Sequence, residues 1–380
     1  MIAGADLEAV CREATAEVWQ HLGAGAIDLV VVFASTRYGA NIDRLPVLLQ
    51  EGLGARTLVG CSGAAVTDET QVLEGRHAIV VLAGRLPGTR IDSTHVAYAE
   101  LPSPDAGPAA WRALLPEIAQ RRSSMLVLGE PFHGDVRSLL TGLDFAFPGV
   151  TKVGGLASGS RHPEGLSLFC GRTTHHSGAV IVSFAGDIEL TTLVASGCRP
   201  FGRSGRVTKT QDKRLLTVDN SPARAFVAEQ LRSLSEADRA IAEASPLLLG
   251  LAPDPFAASE AQSDEFLVND IRGVDQSGNL VVTESLPIGR SVRLLMRDGV
   301  AGAEELRQRL READLGGASA ALLFRCLGRD SEDHIEFARQ AGDVPLAGFH
   351  CNGEIGPLAN STHLHAYSAA FGFFRRRVAR

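Results

Sequence analysis

Apolar residues fall in short runs bounded by turn residues, and between the runs they recur at helical spacing. The first run, residues 28–34, has strand length. Behind it Leu45, Leu48 and Leu49 share one helix face, with Asp43 placed as N-cap, Pro46 tolerated in the first turn, and Gly52 and Gly54 as stops. A strand over 57–60 ends in Cys61-Ser62-Gly63, and a closing strand covers 77–83. The same order returns: a strand over 124–129, a helix capped by Asp135 with Val136, Leu139, Leu140 and Leu143 on one face, a strand ending at Gly154-Gly155, and a closing strand over 178–185. A third copy has a strand over 319–326, a helix carrying Ile335 and Ala338, and a strand over 344–349. It ends in the loop His350-Cys351-Asn352-Gly353-Glu354 and a closing strand over 363–374.

Between the copies lie two strand-rich stretches, 188–218 and 266–296, the second with the turn Asp275-Gln276-Ser277-Gly278-Asn279. Each reads as an antiparallel meander followed by a helix, one opened by Ser221-Pro222 and the other by Asp298. The fold class predicted is α/β: two fused, related domains whose mixed, largely antiparallel sheets are flanked by helices. The expected division is an N-terminal helix over 1–25, a first domain over 26–220 and a second over 221–380.

Composition agrees with two well-filled cores. The chain has 380 residues, 45% hydrophobic and 21% charged, with a mean hydropathy of +0.06. A net charge of −7 excludes a nucleic-acid face, since phosphates need a basic surface. The one dense basic run, Arg375, Arg376, Arg377 and Arg380, is expected to be a solvated tail. No apolar window reaches the roughly 20 residues of a membrane span. Asp6, Glu8, Glu13 and Glu17 make the N-terminus an amphipathic helix in place of a signal peptide. Six cysteines without paired spacing imply reduced thiols and a cytoplasmic setting. Only Lys152, Lys209 and Lys213 are lysines, a bias read as bacterial coding.

In α/β sheets ligands sit at the carboxyl ends of strands. The three copied strands end in Gly60-Cys61-Ser62-Gly63, Gly154-Gly155 and 348–353, where glycine allows close backbone approach. Cys61 and Cys351 stand at similar places in their copies, as nucleophiles or as small packing groups. His350 is a poor base for Cys351, because neighbours on an extended chain face opposite ways. Ala64 breaks a serine-nucleophile elbow, and neither a P-loop nor a dinucleotide fingerprint is present, so no cofactor is expected. His350, Cys351, Glu354, His363 and His365 offer metal-ligand types without metal-binding spacing, and no metal is expected. Arg199 and Arg272 each present a fork for a carboxylate ligand, with Asp270 the alternative partner of Arg272.

At these residues the chain resembles FIST proteins. The resemblance is carried by 59–63, Gly154-Gly155, 196–202 running into Val207-Thr208, 266–273, 286–289, and above all 348–357, where His350-Cys351-Asn352-Gly353-Glu354 stands. It departs from the family at Ala64-Ala65-Val66 and at Ala359-Asn360. What the resemblance implies is a stand-alone intracellular sensory module that binds a small ligand, an amino acid or small carboxylate, and signals to a protein partner in trans. The ligand cleft expected between the two domains would be lined by Gly60, Cys61, Ser62, Gly63, Gly154, Gly155, Arg199, Arg272, His350, Cys351, Asn352 and Glu354. No catalytic residue is assigned. The alternatives are a cysteine-dependent enzyme using Cys61 or Cys351, and a protein-docking scaffold.

Overall fold

A computed structural model describes residues 1–115, 124–253, 266–313 and 315–377. The first copy opens with β1 (Ile2–Ala3) and α1 (Leu7–Leu22), whose N-cap Asp6 accepts from the N–H groups of Glu8 and Ala9. It continues through β2 (Leu29–Ser35), α2 (Leu45–Leu53) and β3 (Thr57–Gly63) to a hairpin, β4 (Ala65–Thr67) and β5 (Val72–Glu74), and then β6 (Ala78–Gly84). Asp43 is not the cap of α2. It lies in a 3-10 segment, Thr36–Arg44, and α2 starts without a side-chain cap.

The second copy repeats the order: β7 (Thr89–Val96), α3 (Pro108–Ala113), β8 (Ser124–Gly129), α4 (Val136–Ala146), β9 (Thr151–Leu156), the hairpin β10 (Leu168–Cys170) and β11 (Thr173–His175), and β12 (Ala179–Gly186). Asp135 caps α4 as expected, accepting from Arg137 and Ser138. The third copy begins with β13 (Ile188–Ser196) and is then interrupted. The insertion holds β14 (Cys198–Gln211), β15 (Arg214–Val218), β16 (Ser221–Pro222), α5 (Ala223–Arg232), α6 (Glu236–Ala244), β17 (Leu248–Leu251), β18 (Leu267–Val274), β19 (Leu280–Val282) and β20 (Ser291–Arg297). The copy resumes with α7 (Gly299–Glu312), capped by Asp298, then β21 (Ala318–Cys326), α8 (Asp333–Ala341), β22 (Leu346–Cys351), the hairpin β23 (Glu354–Leu358) and β24 (Ser361–His365), and β25 (Ser368–Arg376). Ser221-Pro222 is a short strand paired with β15, and Pro222, not Ser221, stands at the N-cap of α5, without a side-chain cap.

The predicted class holds: mixed sheets flanked by helices. The internal relatedness takes the form of three units. In each, two parallel strands joined by a helix pair side by side and the closing strand runs antiparallel to the first, giving the orders β6-β2-β3, β12-β8-β9 and β25-β21-β22. Each sheet is then extended at both edges. On one side the unit's opening strand pairs with its closing strand, as β1, β7 and β13. On the other, a hairpin arrives from another unit: β4–β5 joins β22, β23–β24 joins β9, and β10–β11 joins β3. The exchange is cyclic, and all three sheets have six strands. The insertion forms a seven-stranded fourth sheet with α5 and α6 against it. Among the described residues, three of the four sheets therefore draw strands from both sides of residue 220.

The inner faces of the six-stranded sheets meet in one apolar core. At its centre Phe33, Phe324 and Phe349, from β2, β21 and β22, stand 4.7 to 6.1 Å apart between ring centroids. Helices cover the outer faces, α1 and α2 on the first sheet, α3 and α4 on the second, α7 and α8 on the third. The basic run is not a free tail. Arg375 and Arg376 belong to β25, and the N–H of Arg377 donates to the Asp187 carbonyl at 2.6 Å; Arg380 lies outside the described residues.

Candidate functional site

Register fixes which residues of the three units correspond. Gly60 faces Val32, Gly154 faces Val127, and Gly348 faces Leu323. A Cβ at these glycines would lie 1.8, 1.8 and 2.5 Å from the facing carbonyl oxygen. Glycine is there because a neighbouring backbone occupies the side-chain space. The same register corrects the expected match of Cys61 with Cys351: Cys61 corresponds to Gly155 and Phe349, and Cys351 to Gly63.

The three glycine-rich ends do meet, by backbone contact. The Ser158 hydroxyl accepts from the N–H of Ala64 at 2.9 Å and donates to the His350 carbonyl, so one side chain bridges all three units. Leu156 donates to the Gly353 carbonyl at 2.9 Å and receives the N–H of Asn352 at 3.0 Å. Ser62 accepts from the Ser167 N–H at 3.0 Å. Gly60, Cys61, Ser62, Gly63, Gly154 and Gly155 are buried in this junction. Cys61 packs in the central apolar core, where burial pushes its thiol well up. Asn352 is exposed, its amide 3.4 Å from the Ala157 carbonyl.

The arginines lie elsewhere. Arg199 on β14 binds Asp298 at 2.9 Å and Asp238 at 2.5 Å, two carboxylates distant from it in the chain. Arg272 on β18 is exposed and pairs with Asp270 at 3.3 Å and Thr283 at 3.1 Å, the alternative anticipated for it. The ring of His350 faces Arg325 at 3.3 Å; burial, Arg325 and His334 hold its pKa down at about 3, so it is neutral. Beside it lies a pair that sequence reading missed. Arg329 and Asp333 are fully buried, with Nε 2.9 Å from both carboxylate oxygens. Their i,i+4 spacing of opposite charge was the available signal.

A cavity of about 340 Å³ opens where β13, α7, β18 and the β23–β24 hairpin converge. Phe266 and Val268 form an apolar wall; the polar lining includes Ser196, Glu305, Arg309, Glu312, His365 and Ser368. Glu305 accepts from Arg309 Nε at 2.8 Å and from the Ser196 N–H at 3.2 Å. His365 Nε2 donates to the Gly356 carbonyl at 3.1 Å, and burial lowers its pKa to about 4, leaving a neutral ring. Of the expected site residues, Glu354 and Cys351 lie one layer behind this lining. Ser368 Oγ donates to Glu354 Oε2 at 2.6 Å, and Cys351 Sγ donates to Oε1 at 3.2 Å. A second, larger cavity of about 710 Å³ sits at the carboxyl ends of β2 and β3, between Arg37, Glu74, Gly159, Ser160 and His176.

Burial raises the Glu354 carboxyl from an ordinary 4.5 to about 7. Below the unfolded-state value both states hold the proton and stability is intact. As pH climbs toward the folded value, unfolding releases that proton and is favoured. The melting temperature of the native protein should fall relative to that of Glu354→Gln between about pH 5 and about pH 8. A difference constant across that range would show that Glu354 does not titrate there.

Comparison with known proteins agrees with the architecture. The family model for the FIST N domain matches residues 28–221, and that for the FIST C domain matches 223–357. The chain belongs to the FIST family. Its similarity extends over nearly full length to Uncharacterized protein Rv0628c of Mycobacterium tuberculosis (strain ATCC 25618 / H37Rv), 26% identical over 383 residues and 97% of each chain. Uncharacterized protein Mb0898c of Mycobacterium bovis (strain ATCC BAA-935 / AF2122/97) is 28% identical over 382 residues, 97% of this chain and 96% of the relative. Within the FIST chain, the model boundary between the N and C domains falls beside β16, inside the fourth sheet, and β13 of the N segment is a strand of the third unit. Among the described residues no helix is long and apolar enough to cross a membrane.

Proposed function

We propose that this FIST protein is a cytoplasmic sensory module that binds a free amino acid in the 340 Å³ cavity and signals to a protein partner in trans. FIST domains are in general sensory and ligand-binding. The observation that carries the specific reading is the charge pattern of one helix face. Glu305, Arg309 and Glu312 of α7 project into a cavity of amino-acid size, offering a guanidinium to a carboxylate and carboxylates to an ammonium. Phe266 and Val268 supply apolar contact for a side chain. The cavity joins β13 of the N segment to α7 and β18 of the C segment, so occupancy bears on the contact between them. This places the ligand one layer away from the glycine-rich ends.

Thermal-shift titration with the amino acids and with matched amines and carboxylates tests the reading. At saturating ligand, about 100 times its Kd, stabilisation should approach 2.7 kcal/mol. The matched amine and the matched carboxylate should each give less. Arg309→Ala should abolish the shift and Arg37→Ala should leave it. If Arg37→Ala removes the shift and Arg309→Ala does not, the ligand occupies the larger cavity; no shift with any amino acid overturns the proposal.

A further inference from the structure

Cys326 and Cys351 end two parallel neighbours, β21 and β22, and face each other in register. In-register residues on adjacent strands lie about 4.8 Å apart, inside the Cα span that a disulfide bridges. Glu354 interacts with both thiols, and its carboxylate is fully buried. Its other oxygen receives the N–H of Ser368 at 3.1 Å and the Ser368 hydroxyl at 2.6 Å. Among the described residues no guanidinium or ammonium pairs with it, an arrangement that costs folding energy.

The repeated architecture tells which part of this corner the fold requires. The pair Ser35 and Gly63 in the first unit stands where the third has Cys326 and Cys351. Glu354 faces Gly155 at the hairpin position held by Leu168 against Cys61 and by Val66 against Phe349. The same corner is thus built twice with apolar groups at the carboxylate position. The charged, thiol-bearing version is an addition to the fold.

We propose that Cys326 and Cys351 form a reversible oxidation site, a dithiol that closes to a disulfide on meeting hydrogen peroxide, with Glu354 as proton acceptor. Both thiols are buried, so the attacking sulfur must lose its proton to a base beside it, and Glu354 Oε1 is 3.2 Å from Cys351 Sγ. Cys351 sulfur attacks one peroxide oxygen and the O–O bond breaks. The thiol proton passes by way of Glu354 to the departing hydroxide, leaving a sulfenic acid and water. Cys326 sulfur then attacks Cys351 sulfur, the S–O bond breaks, and the hydroxyl leaves as a second water with the Cys326 proton. Two thiols are oxidised by two electrons and one peroxide is reduced to two waters. Ser368, bonded to Glu354, lines the 340 Å³ cavity and marks the way in. The site does not depend on what that cavity binds.

The test uses the full chain without added ligand. After exposure to hydrogen peroxide, digestion without reductant and mass spectrometry should reveal a peptide joining Cys326 to Cys351, lost on reduction. Cys326→Ser should leave Cys351 as a sulfenic acid trapped by dimedone. Glu354→Gln should slow the crosslink by about a hundredfold, the lower range of general-base assistance, while oxidation of the partly exposed Cys170 keeps its rate. Should Cys326→Ser fail to fold, the native chain and Glu354→Gln still decide. Oxidation of the other cysteines with no Cys326–Cys351 link, or a Glu354→Gln chain that crosslinks at the native rate, overturns the proposal.

Discussion

Gly154→Ala should yield a chain that does not fold, with little soluble protein and no cooperative melt. The added Cβ would lie 1.8 Å from the Val127 carbonyl oxygen and 2.7 Å from its carbon. Both clashing atoms are backbone, so no rotamer change relieves them. Moving β9 away from β8 would break the parallel pair on which the second unit's sheet is built. The cost should exceed about 4 kcal/mol, in the range where single substitutions unfold ordinary domains. Gly107→Ala is the control: nothing lies within 4 Å of its Cβ, and its stability should stay within about 0.5 kcal/mol of native. A Gly154→Ala protein melting within a few degrees of the native chain would mean that the strands can part at little cost.

Arg329→Met is expected to be the second most damaging change. The Arg329 guanidinium has no exposed surface; it binds both Asp333 oxygens at 2.9 Å, the Ala195 carbonyl at 3.2 Å and the Gly302 carbonyl at 3.1 Å. It thereby fastens the loop after β21 to the end of β13 and to α7. Methionine fills much of the volume and leaves Asp333 buried with Arg325 at 3.2 Å as its remaining charged partner and the Ser331 hydroxyl donating at 2.8 Å. Breaking one side of a buried pair typically costs about 3 to 5 kcal/mol, far more than the pair contributes relative to an apolar replacement. Urea unfolding should show that loss, and Arg329→Met combined with Asp333→Leu should recover most of it. A single-variant loss below about 1 kcal/mol would mean that water or a moved side chain serves Asp333 as well.

The units were legible because their apolar runs and helix faces are local patterns: the strand ends at Ser124–Gly129 and the cap at Asp135 agree with the structure. The hairpin exchange was not. Strands of three residues such as Ala65–Thr67 and Leu168–Cys170 are too short to show a period, and their partners lie in other units. Cys61 and Cys351 stand at similar places in the apolar pattern of their copies, whereas the strand register decides the correspondence and separates them by two positions. Arg199 read as a free fork because its carboxylates are 39 and 99 residues away in the chain. The glycine-rich strand ends are local motifs and stand out in the sequence, but the backbone that each glycine approaches lies on a neighbouring strand that the motif itself does not name.

The cyclic exchange of hairpins also governs how a growing chain can be completed on the ribosome. β3 lacks its outer neighbour until Leu168–Cys170 has been made, and β4, paired only with β5, stays without its second neighbour until Leu346–Cys351 emerges, about 280 residues after it. Throughout synthesis at least one apolar strand edge is therefore open to pairing with a stranger, the condition that invites aggregation. A nascent chain halted after the second unit carries two such edges, on β9 and on β4, and has no means of closing either.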